Sequence, residues 1–105
     1  MNDQADQRPV CSVEIANDGR IEVRGELSFA TVPAVRADAL RLFSKVRSVH
    51  IDLAGVTGAD SAGLALLIEW MRESRRLQHN AHFSHVPDAL RVIAELSDVD
   101  DLLPA

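Results

Sequence analysis

Ser61 is the side chain in this sequence that most invites a chemical role. It follows Gly58-Ala59-Asp60 and precedes Ala62-Gly63, where an alternating apolar run gives way to a helix-like one. A serine on a sharp strand-to-helix turn is the nucleophile of many hydrolases, and His79, His82 and His85 are available as bases. The nucleophile elbow requires G-x-S-x-G, however, and here one residue too many separates Gly58 from Ser61. Nothing in the sequence aims a histidine at it. A serine hydrolase is therefore a remote reading. The same histidines are spaced by three, which suggests a metal. Residues three apart on a strand point to opposite faces, and neither a cysteine pair nor an H-E-x-x-H pattern completes a ligand set. His50 alternates away from its strand's apolar side and reads as a surface group. Walker A spacing is absent, so no nucleotide hydrolysis is expected, and no cofactor is implied.

What remains is Asp60-Ser61-Ala62-Gly63 as a recognition or switch site. Unpaired backbone N–H groups gather at a helix start. Asp60 suits the N-cap and puts Ser61 at the first helical position. A phosphate on Ser61 would gain about 0.3–1 kcal/mol from an exposed helix N-terminus, with Asp60 opposing it by charge. The plainer alternative is that Ser61 only supports the helix start, while Gly63 lets the helix come close to the sheet.

Composition narrows the function classes. A chain of 105 residues, 47% hydrophobic and 26% charged, fits one globular domain with a single core. Its net charge of −5 argues against a nucleic-acid partner. Arg72, Arg75 and Arg76 cluster locally, but a solvated helix face explains them. Cys11 is the sole cysteine, excluding an internal disulfide and fitting a reducing compartment. It reads as a small buried hydrophobe. No apolar run approaches the roughly 18 residues of a membrane span, and MNDQADQR holds no secretory h-region. The expectation is a cytoplasmic protein that reaches a membrane only through a partner.

The elements that must position Ser61 follow from periodicity. Residues 1–9 read as a disordered tail and residues 10–105 as the domain. Cys11, Val13 and Ile15 alternate with polar residues, as do Ile21 and Val23, and Asn17-Asp18-Gly19 between them predicts a hairpin. Gly25-Glu26-Leu27 closes it. Thr31 is a plausible N-cap with Pro33 in the first turn, and Val32, Val35, Ala39, Leu42 and Val46 share one helical face, with Phe43 at its edge. Val49, Ile51 and Leu53 form the third strand, after which Gly55 and Gly58 are expected to break the chain. On a wheel of about 100° per residue, Leu64, Leu67, Ile68 and Met71 form the core face of the next helix. Leu66, Trp70 and Leu77 make a second apolar stripe that must meet a neighbouring helix or a partner. Ser61, Ala65, Glu69, Arg72 and Arg76 share the outward side. His79-Asn80 reads as a helix stop and Ala81 to Val86 as a fourth strand. A third helix begins near Pro87 with Leu90, Ile93 and Ala94 inward, and ends at Ser97-Asp98. Val99, Leu102 and Leu103 form an apolar patch expected to fold back. The order β-β-α-β-α-β-α, with a hairpin and then crossovers, predicts an α/β fold with a mixed four-stranded sheet backed by helices.

Gly25-Glu26-Leu27, Ile51-Asp52-Leu53 and Asp60-Ser61-Ala62-Gly63-Leu64 together resemble the STAS-domain family, over about residues 10–104. The resemblance implies a non-enzymatic domain that works by binding a protein. Gly63-Leu64-Ala65-Leu66-Leu67 and the ending Leu102-Leu103-Pro104 are most similar to the MlaB-type subunit of phospholipid-transporting ABC transporters in Gram-negative bacteria. That branch implies an ATPase subunit as partner, in complex with an inner-membrane permease. Asp60, Ser61, Ala62, Ala65, Glu69 and Arg72 would form the docking face, with Gly58 and Gly63 as structural loop residues. The competing branch is the anti-sigma-factor antagonists, in which the serine matching Ser61 would be the phosphoacceptor.

Overall fold

The computed structural model describes residues 10–46, 48–79 and 81–96. Strands β1 (Cys11–Ile15) and β2 (Ile21–Leu27) form the expected antiparallel hairpin, with Val13 opposite Val23. Gly19, at φ +89°, supplies the left-handed turn residue that side chains disfavour. Helix α1 (Val32–Phe43) crosses to β3 (Val49–Ala59), α2 (Ser61–Arg76) to β4 (Ala81–Ser84), and α3 (Asp88–Leu96) follows. The sheet order is β1-β2-β3-β4, and the two later pairings are parallel. The mixed four-stranded α/β architecture is the one read from the pattern.

The largest departure is the length of β3. It runs through Gly55 and Gly58 to Ala59, because β2 lies parallel beside it and supplies ladder partners throughout. Arg24 pairs with Gly55 and Glu26 with Gly58, with register shifts that absorb the irregularity. Gly58 is thus a strand residue, not a loop residue. Gly63 is not in a loop either but in the first turn of α2.

Smaller differences have local causes. Thr31 occupies the N-cap of α1 without capping it. Its Oγ1 instead accepts from the Ser28 N–H at 3.0 Å and donates to the Glu26 carbonyl at 2.7 Å, fixing the connection. Strand β4 stops at Ser84, since His85 takes a left-handed φ of +58°. Pro87 precedes α3, its carbonyl accepting from the Leu90 and Arg91 N–H groups. Ile15 is exposed at the sheet edge, so only Cys11 and Val13 of β1 are partly buried. Residues 1–9, Asn80, Ser97-Asp98, Val99, Leu102 and Leu103, which carried expectations, lie outside the described residues.

The core lies between one sheet face and the helices. Ile21, Val23, Val49, Ile51 and Leu53 meet Val35, Ala39, Leu64, Leu67 and Leu90 there. Phe43, placed at the edge of its stripe by periodicity, is fully buried, as are Leu66 and Trp70. The Phe43 and Trp70 rings pack edge to face, with centroids 5.9 Å apart. Trp70 of the second apolar stripe of α2 therefore meets α1, and neither it nor Leu66 faces a partner. The Trp70 indole N–H has no hydrogen-bond partner among the described residues, so the ring contributes area and edge contact.

Candidate functional site

Two helix starts lie side by side because two parallel strands end together. Leu27, the last residue of β2, pairs with Ala59, the last residue of β3. The chain leaves each strand and within five residues enters α1 or α2. Asp60 ties the two exits. Its Oδ1 accepts from the Ala62 and Gly63 N–H groups at 2.9 and 3.3 Å, an N-cap in extended conformation. Its Oδ2 accepts from the Phe29 N–H at 3.1 Å. Gly63 sets the closeness of approach: a Cβ there would stand 2.4 Å from the Leu27 carbonyl oxygen. The expectation of a glycine that lets helix meet sheet is borne out.

With the start of α2 held this way, Ser61 is the first helical residue and is exposed. Ala65 and Arg72 are exposed below it, and Ala62 and Glu69 are partly so, which gathers the expected outward stripe on one surface. Arg36 of α1 donates to Glu69 at 2.7 Å, bridging the helices alongside that stripe. Between the two helix starts lies a groove of about 320 Å³ lined by Phe29, Val32, Pro33, Arg36, Ala62 and Ala65. Phe29 at its rim is 83% exposed. Neither Phe29 nor the groove was legible as a site. The only signal was an apolar aromatic in a segment otherwise read as a connection, and its meaning depends on α1 and α2 starting together.

No catalytic geometry forms around Ser61 among the described residues. His85 Nδ1 is 3.0 Å from Asp52 Oδ1, His50 Nε2 is 3.2 Å from Ser84 Oγ, and no histidine is hydrogen-bonded to Ser61. No group of three potential metal ligands occurs among these residues. Burial pushes the Cys11 thiol up to about 11, which leaves it protonated and a poor nucleophile at neutral pH. No helix among them is long and apolar enough to cross a membrane.

A second polar cluster went unread in the sequence. Glu22, Asp52 and Ser84 stand in register across β2, β3 and β4, on the face opposite the core by alternation. Asp52 is only 8% exposed. Burial pushes its carboxyl up, but the Ala54 N–H at 2.9 Å, His85 and the Arg20 guanidinium at 2.7 Å together hold it below the ordinary carboxylate value. It pins the turn residue Arg20 and the strand-end residue His85 to the middle of the sheet.

A mixed sheet of this order, with an exposed serine opening the helix after its third strand, is the fold of a STAS domain. The solved structure of the anti-sigma factor antagonist SpoIIAA in its unphosphorylated form superposes with a TM-score of 0.67, covering 90% of this chain and 85% of that one at 18% identity. Residues 12–104 match the family described as "Mlab, STAS domain", and the chain belongs to that MlaB-type STAS family. No curated protein matches it significantly.

Proposed function

We propose that this chain is the non-enzymatic STAS subunit of a phospholipid-transporting ABC transporter of the Mla type. In this reading it docks on the transporter's ATPase subunit in the cytoplasm and supports that subunit's assembly and activity. It reaches the inner membrane only through the ATPase and its permease. The observation that carries the reading is the exposed Ser61, Ala65 and Arg72, in one stripe with the partly exposed Glu69, presented by the Asp60-capped helix beside an apolar groove. Its shape suits contact between proteins, since small side chains allow close approach and an exposed aromatic stands at the rim. The MlaB-type family match supports the transporter branch over other STAS roles.

A second reading rests on the exposed Ser61 hydroxyl at a helix start, which a kinase could reach. In it the chain is an anti-sigma-factor antagonist switched by phosphorylation of Ser61. One experiment separates the two. The tagged chain is purified from its own cells, and its companions and the mass of the Ser61 peptide are read by mass spectrometry. An ATPase together with a permease is the expected result, with Ser61→Arg folding normally and losing both. Undiminished recovery with Ser61→Arg would remove the docking role. A companion kinase and phosphate on Ser61 would establish the second reading instead.

A further inference from the structure

The partner's identity leaves open what part of it touches this chain, and the surface carries information on that point. Ser61 and Ala65 are small and one helical turn apart, so another backbone can approach α2 closely there. Beside them the apolar groove, rimmed by the 83% exposed Phe29, has room for a large hydrophobic side chain. The charges along the same stripe are uneven. Arg36 and Glu69 neutralise each other, whereas exposed Arg72 forms no ion pair among the described residues. On a chain of net charge −5, the lower half of this face thus offers an uncompensated cation. Arg72 lies seven residues from Ala65, two helical turns or about 10 Å along the axis.

We infer that, if this face docks a protein as proposed above, the groove takes one amphipathic helix of that protein. That helix carries a large apolar side chain and an acidic side chain seven positions apart. The apolar one enters between Phe29 and Ala65, and the acidic one meets Arg72. Two helices lying side by side match i to i+7 spacing on both, so the same 10 Å separates the paired groups on each. Close packing against Ser61 and Ala65 favours a helix: an irregular loop would not keep contact along three turns of α2, and a lone extended strand would bury backbone N–H and C=O groups without partners.

The test places a photo-crosslinking phenylalanine analogue at position 29, where it replaces an aromatic, or at exposed position 76, one turn below Arg72, of the full chain in its own cells, followed by sequencing of the crosslinked peptides. Crosslinks from both positions are expected on one partner helix, from position 29 at the apolar residue and from position 76 within about a turn of the acidic residue seven positions away. Arg72→Glu should weaken recovery of the partner roughly tenfold or more, and exchange of the partner's acidic residue for lysine should restore it. Crosslinks to a second copy of this chain, to scattered segments, or none at all would overturn the inference. So would failure of the charge exchange to rescue. If such a helix is found in a kinase, the transporter reading fails while this inference stands. If the ATPase is recovered but crosslinked elsewhere, the inference fails alone.

Discussion

The Asp60 carboxylate and the Phe29 backbone N–H, 31 positions apart in sequence, are joined by a 3.1 Å hydrogen bond. The other oxygen of the same carboxylate caps α2. One side chain thus fixes both the serine-bearing helix and the aromatic that rims the groove beside it.

Asp60→Ala should therefore disturb two things at once. Losing the cap costs about 1–2 kcal/mol of stability. Release of Phe29 should weaken docking beyond what that destabilisation explains. Asp60→Asn keeps one acceptor oxygen for the cap but offers an amide to the Phe29 N–H, which cannot accept. Its stability should fall less than that of Asp60→Ala while its docking defect stays similar. Urea denaturation together with a partner pull-down compares the two, and parallel losses in both assays would argue against the linkage.

Two glycines near the site should respond unequally to alanine. A methyl on Gly63 meets the Leu27 carbonyl at 2.4 Å, and that backbone cannot retreat without breaking the β2–β3 junction. Overpacking of this kind costs about 1–3 kcal/mol, more than the fraction of a kilocalorie alanine gains in a helix's first turn. Gly58 has open space where its Cβ would stand and no left-handed backbone, so Gly58→Ala should lie within about 0.5 kcal/mol of the parent. Melting temperatures of the two variants decide it, and equal destabilisation would mean that close approach is not what Gly63 provides.

Asp52 makes the stability depend on pH in a defined direction. Its folded pKa lies below the ordinary value of 3.8, so its ionised form favours the fold. That contribution is complete above the ordinary carboxylate range and is lost as pH falls through the folded pKa. Asp52→Asn should be less stable than the parent at pH 7, and the gap should narrow steadily below about pH 4. Urea midpoints at pH 7, 4 and 3 measure the gap, and one that stays constant with pH would mean the carboxylate is not held in its charged form.

Trp70 is the sole tryptophan, and its complete burial against Phe43 can be read by fluorescence. Emission should be blue-shifted, shielded from acrylamide, and unchanged when the partner binds. Trp70→Ala should cost about 3–5 kcal/mol, through loss of core area and a cavity. A change in emission wavelength on partner binding would place this ring at the interface instead.

These residues also show how far the sequence could be read. The outward position of Ser61, Ala65 and Arg72 followed from helical period alone, because a wheel depends only on spacing within one element. Burial of Trp70 could not be assigned, since the choice between α1 and a partner required knowing that Phe43 lies opposite. Gly55 and Gly58 misled for a related reason. They are breakers in an isolated strand, but β2 holds them in ladder pairs through residues some 30 positions earlier. The alternation of β3 gave Asp52 its face, but its burial comes from Arg20 and His85, which only the folded sheet brings together. Phe29 gained its place in the same way, from the shared ending of β2 and β3.

The strand order repeats the chain order, each new strand pairing with the one before it. Such a sheet can grow from a single side as the polypeptide leaves the ribosome, without prising apart strands already joined. The local hairpin offers an early template, and each crossover then needs only the edge its predecessor has left open. The Leu27–Ala59 pairing that brings the two helix starts together needs no contact from β4, which adds to the far edge of β3. The order of pairing thus lets the recognition face assemble ahead of the final strand and helix.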